Sequence, residues 1–276
     1  MLLLCAGCDN SASIKTWSSS DKNQDRWAIY YDYNVSANAF AEYDLVVFDR
    51  ITYPDFHNNH KSTKYLAAIN AGEVNMNAPE KIILEHENAI LLSQTARGTA
   101  VVDLTSTRWH NIVTAQVDDA ARKGFDGVML DGLEIALKLS AQKSPQAGEE
   151  ATQQAITMID DIHARHPRMK IMLNRAFDIL PQVANKIDYV LAEGILSERN
   201  DSTGQSHLVA ANNYQQTAGS LRWAHGLSPS IAIYTLDYWN TSDIEGTKKI
   251  YRMQRDHGFS PYVTSPDLRH FTPEPK

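Results

Sequence analysis

From Trp27 onward, short apolar runs alternate with longer amphipathic stretches. The runs are Trp27–Tyr31, Leu45–Phe48, Tyr65–Ile69, Ala100–Val102, Gly127–Leu130, Lys170–Leu173, Tyr189–Ala192, Ile231–Leu236 and Tyr262–Val263. Nearly unbroken apolar runs, rather than alternating ones, predict strands of a sheet covered on both faces. The stretches between them carry helix signals. Thr107 to Lys123 places Trp109, Ile112, Val113, Val117, Ala120 and Ala121 on one stripe, and Gly124 closes it. Between Glu149 and His166, Ala155, Ile159 and Ile162 form a second stripe, and Pro167 follows. Ser242-Asp243-Ile244-Glu245 reads as a capping box that opens a helix ending at His257-Gly258. Repeated βα units with no linker predict one α/β domain over residues 27–276, a single (β/α)8 TIM barrel. Nine runs exceed eight strands, so one is peripheral, and the last, Tyr262–Val263, is expected to be that one. An open doubly wound sheet would need a glycine-rich phosphate loop after the first strand, and Tyr30-Tyr31-Asp32-Tyr33 is not one.

Composition narrows the setting. The 26 basic and 33 acidic residues leave a net charge of −7, and no basic run is present, so nucleic acid is not an expected partner. Both cysteines fall within the first eight residues, which excludes a disulfide framework in the body of the chain. Residues 1–8, Met-Leu-Leu-Leu-Cys-Ala-Gly-Cys, read as the remnant of a lipoprotein signal ending in a lipobox, with Cys8 as the lipidated residue. The apolar segment is short and lacks a basic flank, as expected if the true start lies upstream. Residues 9–26 read as a polar tether. Asp9 after the cysteine implies retention at the inner membrane. The expected location is therefore the bacterial cell envelope, with the domain facing the periplasm from a lipid anchor at Cys8.

In a barrel, chemistry occupies the C-terminal strand ends. Those ends carry Asp32, Asp49 with Arg50, Glu73 with Asn75, Asp103, Asp131 with Glu134, Asn174 with Arg175, Glu193, and Asp237 with Tyr238. Any one of these is as readily a turn or helix cap. A full ring of them converging on one mouth points to a multi-carboxylate site. None of the ten histidines and no lysine sits at a strand end, so a metal-dependent hydrolase is the weaker branch and no metal or cofactor is expected. The acid/base branch has a specific pair, Asp131 and Glu193, on strands two apart, whose carboxyl groups can approach within the range of a retaining glycosidase.

These residues resemble one group of enzymes. Gly124–Asp131 (GFDGVMLD), Ala71-Gly72-Glu73, Asn174-Arg175-Ala176-Phe177 and Glu193 are similar to motifs of the endo-α-1,4-polygalactosaminidases of glycoside hydrolase families 114 and 166. Asn174–Pro181 (NRAFDILP) is closer to the Pel-type exopolysaccharide hydrolases. The resemblance runs from about Trp27 to Val263. It implies a barrel that cleaves internal α-1,4 bonds of a galactosamine or N-acetylgalactosamine exopolysaccharide with retention, Asp131 as nucleophile and Glu193 as acid/base. It also implies an exopolysaccharide export machinery as a partner. Asp49, Glu73, Asp103 and Asp237 would attract ammonium groups on the polymer. Glu134, Asn174 and Arg175 would line the site, and Tyr30, Tyr31, Tyr238 and Trp239 would stack on sugar faces. The chain departs from the family at Gly132-Leu133-Glu134 and at Ala68 and Asn70, positions that surround the pair. Ser197–Asn213 is expected to be a mobile loop over the cleft. A polysaccharide-binding protein without turnover, on the same barrel, is the remaining alternative.

Overall fold

The structure is a computed structural model and describes residues 24–57, 62–94, 98–200 and 204–275. Cys8 and the tether up to residue 23 lie outside the described residues. The tether's last three residues pack on the domain: Gln24 Nε2 donates to Arg255 O at 2.8 Å, the Asp25 carboxylate accepts from the Tyr234 hydroxyl, and Arg26 N donates to Asp44 Oδ2 at 2.8 Å.

In chain order the first strands are β1 (Trp27–Tyr30), β2 (Leu45–Asp49), β3 (Lys64–Asn70) and β4 (Glu73–Asn75). Helix α1 (Pro79–His86) precedes β5 (Ile90–Gln94) and β6 (Thr99–Val102), and α2 (Thr107–Arg122) leads into β7 (Gly127–Asp131). Helices α3 (Leu133–Lys143) and α4 (Pro145–Arg165) follow, then β8 (Lys170–Asn174), the single turn α5 (Leu180–Val183) and β9 (Tyr189–Glu193). The chain continues through β10 (Ser197–Arg199), β11 (Ser206–Leu208), α6 (Ala211–Leu227), β12 (Ala232–Tyr238), α7 (Ile244–Asp256) and β13 (Ser260–Thr264).

Eight parallel strands form one sheet in the order β1-β2-β3-β7-β8-β9-β12-β13. Its two ends meet where Trp27 Nε1 donates to Ser260 O at 2.8 Å, so the sheet is a nearly closed (β/α)8 barrel. The expectation for the ninth strand is corrected. Tyr262 belongs to the eighth barrel strand, and the peripheral run is Ala100–Val102, which pairs antiparallel with β4 and β5 in a separate sheet. Both strands are equally apolar because both are buried, so composition could not tell them apart.

Helix caps follow the sequence with one change of residue. Ser106 Oγ accepts from Trp109 N at the start of α2, and Gly124 ends it with φ +81°. At α7 the capping side chain is Asp243, accepting from Gly246 N, rather than Ser242. The segment Ser197–Asn213, expected as a loop over the cleft, contains the hairpin β10–β11 and the start of α6.

Alternation along the strands decides which face each side chain meets. Trp27, Tyr189, Tyr234 and Tyr262 bring their rings together at the N-terminal end of the barrel interior, with centroids 5.4–5.7 Å apart. Phe48 and Tyr65, on the opposite face, stack with each other and with Phe56 under the outer layer, while Phe40 meets Phe48 edge to face.

Candidate active site

The segment Gly124–Asp131 is built for close strand packing. Asp126 makes two contacts to one residue of β3: its N donates to Tyr65 O at 2.8 Å and its Oδ2 accepts from Tyr65 N at 2.9 Å. At Gly127 a Cβ would sit 2.3 Å from Lys170 O, so only glycine lets β8 approach. At the far end of β7, Ala71 N donates to Asp131 O at 2.7 Å, and a Cβ on Gly72 would fall 1.9 Å from Gly132 O. Gly132 itself has φ +77°, a conformation that favours glycine. Asn70 Oδ1 accepts from Glu73 N at 2.8 Å and completes the interlock. The Ala-Gly-Glu and Asp-Gly motifs are therefore two halves of one backbone junction, which fixes Asp131 beside Glu73.

Asp131 and Glu193 meet across β8. Asn174 Nδ2 donates to Asp131 Oδ1 at 2.9 Å and reaches Glu193 Oε2 at 3.3 Å. Two oxygens sharing one nitrogen can lie no farther apart than the sum of those distances, 6.2 Å. Asp131 Oδ1 also accepts from Gly132 N at 2.7 Å, so both of its donors fall on one oxygen. The Tyr238 hydroxyl donates to Glu193 Oε1 at 2.5 Å. Arg175 lies at the rim and donates from its guanidinium to Glu193 O at 2.5 Å.

Burial pushes the Asp131 carboxyl up to about 6, the negative charge of Glu193 adds to this, and Glu73 adds further. The hydrogen bonds from Gly132 and Asn174 pull the other way without cancelling it. Burial and the same carboxylates raise Tyr31 and Tyr238 well above the ordinary phenol range, which keeps both hydroxyls protonated.

Other expected site residues sort by strand face and by sheet. Tyr31 faces the pair, since Asp131, Glu193 and Asp49 all act on it. Tyr30 does not: it is fully buried on the other face against Phe40, its hydroxyl accepting from Val35 N. Asp237 is likewise corrected. It precedes Tyr238 by one residue and so points away from the barrel interior. There it is fully buried, accepting from Leu196 N, Ser197 N and Gln254 Nε2, and burial pushes it up to about 6. Asp103 follows peripheral strand β6 and accepts from Thr105 N and Oγ1, apart from the pair. Asp49 Oδ1 caps a turn through Ile51 N and Thr52 N. Glu73 accepts from Thr99 Oγ1 at 2.9 Å. Glu134 lies on the first turn of α3, 4.0 Å from Arg175 Nε, and Trp239 Nε1 is bound to Asp243 Oδ2.

Sequence reading missed the roles of Asn70 and Thr99. Asn70 had a legible signal, because it ends β3 in register with Asp131. Among the described residues, no group of three or more His, Cys, Asp and Glu is disposed to hold a metal ion. No helix among them is long and apolar enough to cross a membrane.

Solved structures share this architecture at low identity. The glycoside hydrolase domain of PelA from Pseudomonas aeruginosa superposes with a TM-score of 0.78 at 18% identity, over 91% of this chain and 99% of that one. Ega3 from Aspergillus fumigatus, solved in complex with galactosamine, superposes with a TM-score of 0.62 at 16% identity, over 90% and 93%. No curated protein sequence matches the chain at a significant level. The model of glycoside-hydrolase family GH114 matches residues 9–275, nearly the whole length, and the chain is accordingly a glycoside hydrolase that belongs to family 114.

Proposed function

We propose that this glycoside hydrolase is endo-acting and retaining, and that it cleaves α-1,4 bonds in a galactosamine or N-acetylgalactosamine exopolysaccharide. One observation carries the reading: Asp131 and Glu193 hang on a single amide, their near oxygens no more than 6.2 Å apart. Retaining pairs stand about 5–5.5 Å apart, whereas inverting pairs leave about 6.5–9.5 Å for a water. In the form of the pair that carries one proton on Glu193 and none on Asp131, Asp131 attacks the anomeric carbon through Oδ2, the oxygen without a donor, and Glu193 passes that proton to the leaving glycosidic oxygen. Water then cleaves the glycosyl ester, giving its proton to Glu193. Glu73 and Asp49 make the mouth acidic, which suits a polymer bearing ammonium groups. The galactosamine bound in Ega3 supports the choice of sugar.

The test is release of reducing ends by the purified full-length chain from galactosamine, N-acetylgalactosamine and mixed polymers, with a glucosamine polymer as control. The anomer released first is read by NMR, and activity is repeated with chelator. Cleavage of the galactosamine members to α-products, indifferent to chelator, supports the proposal. Binding without cleavage, loss of activity in chelator, or β-products each overturn the corresponding part of it.

The N-terminal sequence supports a second proposal, that Cys8 carries a lipid which holds the enzyme at the periplasmic face of the inner membrane, beside the polymer's export machinery. Cys8→Ala should move the protein from the membrane to the soluble fraction, and an unchanged distribution would remove the anchor.

A further inference from the structure

The donor side of the Asn174 amide is spent on the protein. Its Nδ2 faces the two carboxylates, and its Oδ1 is buried without a hydrogen-bond partner. The residue is 7% exposed. A buried carbonyl without a donor costs about 1–3 kcal/mol. Turning the amide over would place that carbonyl against two carboxylates, which is worse, so the orientation is enforced by charge. The backbone just beyond it is also unusual. Arg175 and Ala176 both adopt left-handed conformations, φ 56° and 51°, which non-glycine residues rarely take and never without some cost. That turn lets Arg175 N donate to Leu191 O at 2.8 Å while the Arg175 guanidinium binds Glu193 O. The end of β8 is thus tied to the end of β9 through both backbone and side chain.

We propose that Asn174 is a positioning residue that holds Asp131 and Glu193 at their working separation and, by tying Asp131 Oδ1, presents Oδ2 as the attacking oxygen. Sequence reading placed Asn174 among the substrate contacts; the geometry points to a clamp behind the carboxylates. As a step in catalysis the inference rests on the function proposed above, but the clamp itself does not.

The substitution that separates the two is Asn174→Leu. It keeps the size of the side chain and removes both the donor and the orphaned carbonyl; losing the donor costs some stability at neutral pH, because ionising Asp131 becomes harder, so a native circular dichroism spectrum is required before either readout is taken. The titratable groups that act on Asp131 are Glu193 and Glu73, and the hydroxyls of Tyr31 and Tyr238 lie within the same field. Two readouts are used on the full chain. In protein carrying 13C at the aspartate carboxyl carbons, the Asp131 resonance, identified by its loss in Asp131→Asn, should titrate at higher pH in Asn174→Leu than in wild type. On the polymer that wild type cleaves, kcat should fall on the order of 100-fold with KM little changed. An unchanged Asp131 titration in the folded variant, or a loss confined to KM, would overturn the clamp. If wild type cleaves no amino-sugar polymer while the titration shifts as expected, the substrate reading fails and the clamp stands.

Discussion

The Tyr238 hydroxyl donates to Glu193 Oε1 at 2.5 Å, while Asp237, its neighbour in sequence, points into the opposite layer and never meets the pair. One residue of strand alternation separates a group that contacts the Glu193 carboxylate from one that anchors the backbone after it. Removing the Tyr238 hydroxyl takes a donor from a charged acceptor, an interaction worth about 1.5–3 kcal/mol. Tyr238→Phe should therefore lower kcat/KM by about one to two powers of ten and leave the circular dichroism spectrum unchanged. Wild-type turnover would remove Tyr238 from the site's chemistry.

Asp131→Asn should abolish activity and stabilise the fold at neutral pH. The folded carboxyl titrates near 6, above its ordinary value of 3.8, because ionising it is unfavourable where it sits. The folded state thus binds more protons than the unfolded state between about pH 4 and pH 6, and stability falls as pH rises through that window. The full penalty, about 1–3 kcal/mol, is present at pH 7 and absent below pH 4. Urea unfolding of wild type and Asp131→Asn at both values should show the variant ahead at pH 7 only. A variant equally stable at both would contradict the cause assigned here.

Gly72→Ala forces a Cβ to within 1.9 Å of Gly132 O, a backbone atom that cannot swing aside. Separating the two loops should cost about 1–3 kcal/mol and displace Asp131, the residue just before Gly132. The expected result is a lower midpoint in urea together with reduced kcat. An unaffected midpoint would mean that the junction yields easily.

Glu73→Gln removes a negative charge that raises Asp131. The acidic limb of the pH–rate profile, set by ionisation of Asp131, should move to lower pH. Activity on a free-amine polymer should drop more than activity on its acetylated form. Equal losses on both polymers would show that Glu73 does not sense substrate charge.

Much of this molecule is legible in its sequence, and the failures share a cause. The barrel, its strands and the pair Asp131–Glu193 follow from apolar runs that end in carboxylates. Residue type alone does not say which face a strand end presents, and alternation turns Asp237 and Tyr30 outward, away from the mouth that their composition suggests. Asp103 shows a second gap: β6 is as apolar as a barrel strand, and only pairing partners reveal that it belongs elsewhere. Asn174 stands out in the sequence as a strand-end amide, but its service to both carboxylates depends on a contact across three strands that no spacing announces.

The small sheet that carries Glu73 has a consequence for the order of assembly. Its three antiparallel strands pair within residues 73–102, whereas the barrel seam joins Trp27 to Ser260, 233 residues away. Short loops close sooner than long ones. The acidic wall is therefore expected to take shape early, from local contacts, and to wait for the last strand to bring the rest of the vessel around it. Damage to the seam would then leave a chain that still forms this wall but never gathers a cleft.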